Sequence, residues 1–271
     1  MAEGAKQPHV PETHRTPGFS IISSSRLRLI NENASVEMSK VLNILGFGPE
    51  LRQYRRECYS ASDNVYKWCD EDNIFDKITV GSKAEGISRC FESDLDLLWV
   101  LNLVECHEAI YDINSIKDNT TVFRMDTQIC YPGHCILLHE RGFSLLLSFA
   151  LCDNGHGQVC LSSDALLNFI ERISSLSVYS QFHHERAGPS LPHLFGPCKY
   201  DSVLALRCHC PSILQKWAAR SRHWPPPDIV SKVVSMGAFL TPVGFKGSEN
   251  KNIEWRMCFN TGEGGRTDDQ S

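Results

Sequence analysis

Gly81-Ser82 and Asp94-Leu95-Asp96 are the residues whose types and spacing read most directly as chemistry. The glycine-serine pair follows a short, partly β-branched run, Phe75 to Val80, and Asp94 comes twelve residues after Ser82. Residues two apart in a strand share a face. Asp94 and Asp96 therefore point the same way, while Leu95 and Leu97 point into a core. Two close like charges cost energy unless a cation sits between them. Mg²⁺, or Mn²⁺ in its place, answers that need, because a hard cation takes carboxylate oxygens together with phosphate oxygens. Gly81 lets the backbone approach a phosphate closely, and Ser82 adds a hydroxyl donor. Together they make a triphosphate and two-metal site. Such sites commonly use a third carboxylate on a neighbouring strand. Asp201 is the best candidate, because it opens the run Asp201-Ser202-Val203-Leu204-Ala205-Leu206. Asp126 and Asp153 also lie near strands, and spacing alone does not choose among them.

The elements that must position these residues can be read from composition and periodicity. The chain has 271 residues, a net charge of −5 and 42% apolar residues, enough for a substantial core and too acidic for nucleic-acid binding by bulk charge. Twelve cysteines are scattered without a disulfide framework. No apolar run approaches a membrane span, so the expectation is a soluble, cytoplasmic or nuclear protein with free thiols and no membrane partner. Residues 1–25, with prolines at 8, 11 and 17, read as a disordered arm, and 261–271 as a disordered tail. Residues 26–260 form the domain between them.

Within it, apolar residues recur at helical spacing from Ala34 to Trp68, with a break expected at Gly46-Phe47-Gly48-Pro49. Phe75–Val80, Asp94–Leu101, Thr121–Met125, Phe143–Ala150 and Asp201–Cys208 are expected strands. Ser162 or Ser163 caps a helix reaching about Ser177. Pro211 opens another, and Asp228–Met236 is a third, stopped by Gly237. This mixture gives an α/β (α+β) fold with a central mixed sheet and flanking helices.

Other clusters carry less. In Cys208-His209-Cys210, strand alternation puts the histidine opposite both cysteines, which argues against a shared zinc. Cys130, His134 and Cys135 are an equally incomplete set. His183-His184 reads as a solvent-facing loop. Arg52, Arg55 and Arg56, and the basic residues between Lys199 and Arg222, read first as solvated helix faces and second as polyanion contacts.

The chemistry-bearing residues also carry a resemblance. GSKAEGISRCFESDLDLLWV resembles the Gly-Ser…Asp-x-Asp signature of the Mab-twenty-one family, which includes cyclic GMP-AMP synthase. Gly188-Pro189-Ser190 with Tyr200–Leu206 resembles the family's later strand. Trp224-Pro225 and Glu254-Trp255-Arg256-Met257-Cys258-Phe259 resemble its closing Trp-Arg strand. The similarity covers about residues 30–260. It implies a nucleotidyltransferase fold with a long N-terminal spine helix. It implies metal binding by Asp94, Asp96 and Asp201, triphosphate contact by Gly81 and Ser82, and a base or acceptor contact by Arg256. In active relatives the reaction joins nucleoside triphosphates (ATP, GTP), releases pyrophosphate and makes a cyclic dinucleotide in innate immune sensing, after double-stranded RNA or DNA binds.

Three departures qualify what the resemblance implies. The family's second, helical lobe should follow the Trp-Arg strand, where this chain stops. Cys258 and Asn260 stand where serines are usual. The zinc-ribbon insertion of some relatives would lie beyond residue 271. The expectation is therefore a Mg²⁺-dependent nucleotidyltransferase. The alternatives are a catalytically silent nucleotide- or partner-binding scaffold, its missing-lobe face covered by a protein partner or a second copy, and a fragment of a two-lobe protein. A different Gly-Ser…Asp-x-Asp transferase would share only the metal signature.

Overall fold

The computed structural model describes residues 24–69, 73–89, 91–108, 116–175, 186, 188–195 and 197–259. Most of the expected arm, the tail, and His183-His184 lie outside these residues. Ser24 and Ser25 do not belong to an arm: they open helix α1 (Ser24–Leu42).

The chain divides into two units, Met1–Gly48 and Pro49–Ser271. In the first, α1 runs into a π-helical turn, Asn43–Phe47, where Gly46 takes φ 87°. The break falls where the glycines and proline predict it. In the second unit, helix α2 (Pro49–Cys69) starts on its proline, whose missing N–H is no loss at a helix start.

Strand β1 (Phe75–Thr79) follows, then a single turn α3 (Gly81–Ala84) and the long strand β2 (Leu95–His107). Next come β3 (Thr121–Asp126), β4 (His134–Arg141), the turn α4 (Leu145–Ser148), β5 (Leu151–Asp153) and β6 (Val159–Leu161). Helix α5 (Ser163–Ser175), strands β7 (Ser190–Phe195) and β8 (Cys198–His209), and helices α6 (Pro211–Ala218) and α7 (Pro227–Met236) lead to β9 (Ala238–Thr241) and β10 (Glu254–Cys258). The protein is thus mixed α/β. Ser162 Oγ accepts the Ala165 N–H at 3.1 Å, so Ser162 is the cap that starts α5.

The expected strand Phe143–Ala150 is a correction: its centre is the turn α4. The backbone carbonyl of Ser144 accepts the N–H groups of Leu147 and Ser148, at 3.1 and 3.0 Å. Leu147 enters the core while Leu145 stays exposed. Leu146 also packs against that core, and two adjacent inward leucines are what a helical turn allows and an alternating strand forbids.

The sheet runs β1-β2-β3-β4-β10-β9-β8-β7, and a further β2–β8 pairing closes β2 through β8 into a ring. β2 is parallel to both β3 and β8. The other pairs are antiparallel. One face of β2 and β8, with Leu101, Val104, Cys106, Leu204, Leu206 and Cys208, enters the main core beside Phe123, Leu137, Leu240 and Trp255. Trp255 is fully buried and donates its Nε1–H to the Leu161 carbonyl at 2.9 Å. Truncating a side chain so placed costs about 3–5 kcal/mol.

Helix α2 fixes the other edge. Asp63 accepts the N–H and hydroxyl of Thr79 at 2.7 and 2.9 Å, and Tyr66 packs edge-on against Trp99 at 5.0 Å. β1 is thereby held against the helix just before it delivers Gly81. The turn after α3 is held as well: Arg55 Nη1 donates to the Gly86 carbonyl at 3.1 Å. Gly86 has φ 69°, and a Cβ there would overlap the Arg52 carbonyl oxygen. Left-handed strain of roughly 1–2 kcal/mol adds to a forced backbone shift of about 1–3 kcal/mol. Gly86→Ala is therefore expected to reduce the unfolding free energy by about 2–5 kcal/mol, read by chemical denaturation.

Candidate active site

Asp96 and Asp201 stand opposite each other in the parallel register of β2 and β8. Asp94 lies two residues before Asp96, exposed, at the entrance to β2. Core-facing residues of β2 and β8 take the alternate positions, so both paired carboxylates project from the face opposite the main core. Asp126 and Asp153 are elsewhere. Asp126 closes a turn by accepting the Gln128 N–H at 2.9 Å, and Asp153 accepts the N–H of Gly155 at 2.6 Å. Of the three acids left open by the sequence, Asp201 is the one that reaches Asp96. Ser190, on β7, donates its hydroxyl to Asp201 Oδ1 at 3.0 Å and orients it.

Gly81 meets this pair directly. It has φ 66°, and a Cβ at that position would overlap Asp96 Oδ2. The glycine is required both by its left-handed backbone and by the carboxylate that occupies its side-chain space. The Val80 N–H donates to the Asp96 carbonyl at 2.9 Å, which joins the Gly81 turn to the strand bearing the acid. Ser82 Oγ accepts from Ser88 Oγ at 2.6 Å and lies 3.3 Å from Ser93 Oγ. Its hydroxyl thus sits in a short serine network spanning the 81–93 loop. Lys83 is almost fully buried and donates to the Arg89 carbonyl, drawing that loop inward.

The electrostatics follow from these positions. Burial, then the charges of Asp201 and Asp94, raise the Asp96 carboxyl above the usual carboxylate range, and the Lys83 ammonium opposes them. Asp76 behaves in the opposite way. Burial pushes its carboxyl up, but the Arg207 hydrogen bond at 2.7 Å, Lys67 and Asn102 outweigh it and hold it low.

Arg256 is not brought to the acids. It is exposed on β10, paired with His134 and Thr241. Its neighbour Met257 pairs with Leu240, which pairs with Leu206, five residues beyond Asp201. Arg256, one residue earlier and paired with Thr241, is therefore level with Ala205, two strands away and about 13 Å further along the strand direction than Asp201. Trp255, beside it, is a core residue.

A second constellation went unread in the sequence. Glu105, His107 and His209 bring one ligand atom each to within 4.8 Å of one another. Glu105 and His107 share a face by ordinary alternation, which a reading of Glu-Cys-His could have flagged. Their meeting with His209 depends on strand pairing across more than a hundred residues. Burial and the neighbouring His209 lower the His107 pKa, against the Glu105 hydrogen bond, which raises it. The expected split of Cys208-His209-Cys210 is observed: both cysteines are buried and the histidine is exposed. Burial pushes the Cys130 thiol up to about 11. His134 Nδ1 lies 3.4 Å from the Pro132 carbonyl.

Compared with known proteins, the chain matches no family model and no curated sequence. Among the described residues, no helix is long and apolar enough to cross a membrane.

A raised carboxyl pKa means that the folded state holds its proton more tightly than the unfolded chain does. The stability this proton contributes is complete below the ordinary carboxylate pKa, about 3.9, and is lost as pH rises through the folded value. Asp96→Asn is therefore expected to raise the melting temperature by a few degrees at pH 7–8, with the gain shrinking toward pH 4. Calorimetry across that range checks the sign.

Proposed function

We propose that the chain is a nucleotidyltransferase-fold protein of the Mab-twenty-one type, with a Mg²⁺- or Mn²⁺-dependent centre at Asp94, Asp96 and Asp201. The observation that carries this reading is the register of β2 against β8, which sets Asp96 beside Asp201 with Gly81 in contact. Burial and the charges of Asp201 and Asp94 raise the cost of ionising Asp96, and a divalent cation with a polyphosphate relieves it.

In this reading the bound cations supply a lowered barrier for a ribose hydroxyl to attack the α-phosphorus in line, and neutralise the departing pyrophosphate. The chain's own residues do the positioning. Asp94, Asp96 and Asp201 hold the cations. Ser190 fixes the rotamer of Asp201. Gly81, bare of side chain, makes room for the Asp96 carboxylate at the turn that would face the phosphates, and the Ser82 hydroxyl donates to them. Substrates are ATP and GTP, with double-stranded RNA or DNA as activator, in a cytoplasmic or nuclear setting. The product class is a cyclic dinucleotide of innate immune signalling.

A second reading has its own support. Arg256, the residue assigned to base or acceptor contact, stands far from the acids along the sheet. A silent nucleotide- or partner-binding scaffold accounts for that placement, with a protein partner or a second copy completing the site.

Incubating the purified chain with ATP and GTP, Mg²⁺ or Mn²⁺, and double-stranded RNA or DNA separates the two. Pyrophosphate release and a dinucleotide peak on chromatography, both falling at least about a hundredfold in Asp201→Ala, are the expected result for a two-metal centre. Metal-dependent nucleotide binding without turnover, lost in Asp94→Ala with Asp96→Ala, supports the scaffold. Absence of both binding and turnover overturns the site assignment.

A further inference from the structure

The aspartate-bearing face of the β2/β8 pair carries a second group of ligating side chains at the end remote from the aspartates. His209 lies eight residues beyond Asp201 on β8, about 26 Å along the strand. The register pairs Glu105 with Arg207 and His107 with His209. Glu105, His107 and His209 therefore emerge on one side, with Cys106 and Cys208 buried on the other.

The distances fit one small ion. His107 Nε2 is 3.1 Å from Glu105 Oε2, and His209 Nε2 is 3.8 Å from the same oxygen. The two imidazoles lie nearly parallel, centroids 4.7 Å apart with 13° between planes. Ligand bonds of about 2.1 Å in a tetrahedral shell set donor atoms about 3.4 Å apart, between the two observed separations. The Glu105 carboxylate is not consumed by its register partner, because Arg207 gives its guanidinium to Asp76 at 2.7 Å. The rings differ in exposure: His107 is buried, and His209 is about half exposed. One side of the shell is thus walled by protein and the other opens to water.

The donor chemistry sets the class of ion. Two imidazole nitrogens and one carboxylate oxygen suit Zn²⁺ and its transition-metal neighbours, whereas Mg²⁺ takes an all-oxygen octahedron. Three protein ligands leave a coordination position for solvent. We propose that Glu105, His107 and His209 bind a divalent transition-metal ion of the Zn²⁺ class, which ties the ends of β2 and β8 together and carries a water at its open position. This site is separate from the aspartate centre and does not depend on the reading of that centre.

The test uses the full chain, stripped with chelator and titrated with Co²⁺, which reports its ligands through its visible absorption. One equivalent is expected to bind, without a thiolate-to-cobalt charge-transfer band, to be displaced by Zn²⁺ and to resist excess Mg²⁺. His209→Ala alters an exposed side chain and should leave the fold intact. It is expected to weaken binding by more than the roughly 10–100-fold that loss of an outer-shell partner costs. Glu105→Gln should do the same. His107→Gln, whose site is buried, is read alongside its circular dichroism spectrum, so that loss of fold is not mistaken for loss of a ligand. Absence of stoichiometric binding, binding unchanged in His209→Ala, or a thiolate band that places the ion on cysteines would each overturn the proposal. In those cases the cluster is a carboxylate shared by two stacked imidazoles.

Discussion

Strands β2 and β8 begin about a hundred residues apart in sequence and run side by side in parallel, and the rest of the structure hangs on that pairing. Leu101, Val104 and Cys106 on one strand and Leu204, Leu206 and Cys208 on the other share the main core. The other face is polar only toward its two ends, since its middle buries Leu98, Val100 and Ala205 in a second apolar cluster. The Trp99 indole donates to Ser202 Oγ at 3.2 Å across the pair. Because the strands are parallel, their beginnings fall together, as do their ends. The acids meet at one end, and the histidines at the other. The register does not run evenly between them. From Leu101 to Glu105 on β2, β8 advances only from Leu206 to Arg207. That irregularity decides which residues of the far end meet.

The acid end holds an electrostatic debt in the folded state. Asp96 lies under the charges of Asp201 and Asp94, with its carboxyl held where a Gly81 side chain would otherwise go. Nothing in the packing requires carboxylates there. Sites that raise folding cost locally tend to be places where a ligand recovers it. The surrounding framework is correspondingly firm. Asp63 ties α2 to the end of β1, Lys83 draws the 81–89 loop inward, and Ser190 orients Asp201 from β7. Gly81 thus serves geometry before it serves any substrate.

Charge is handled differently elsewhere in the sheet. Asp76 is as buried as many core residues, yet Arg207 and Lys67 compensate it. Glu254, fully buried, accepts the Phe245 N–H at 2.8 Å and the Ser248 hydroxyl at 2.5 Å. The chain itself supplies the hydrogen bonds of Glu254 and the opposite charges around Asp76. The contrast with Asp96, whose nearest charges are mostly like its own, separates a structural acid from one arranged for something else.

Local pattern sufficed for much of the architecture. The Gly46–Pro49 break, the Ser162 cap, the proline starts of α2 and α6 and the Gly237 stop are each set by a few neighbouring residues, whose backbone preferences act without distant partners. Strand alternation likewise told that His209 opposes its flanking cysteines. It misjudged Phe143–Ala150, because a short apolar run suits a strand or a single helical turn until the core it faces is known. The choice of Asp201 over Asp126 and Asp153, the distance of Arg256 from the acids, and the meeting of Glu105 and His107 with His209 all belong to the tertiary structure. Each depends on which strands pair and at what register. That is decided by burial summed over the whole sheet, a quantity that no local stretch of sequence contains.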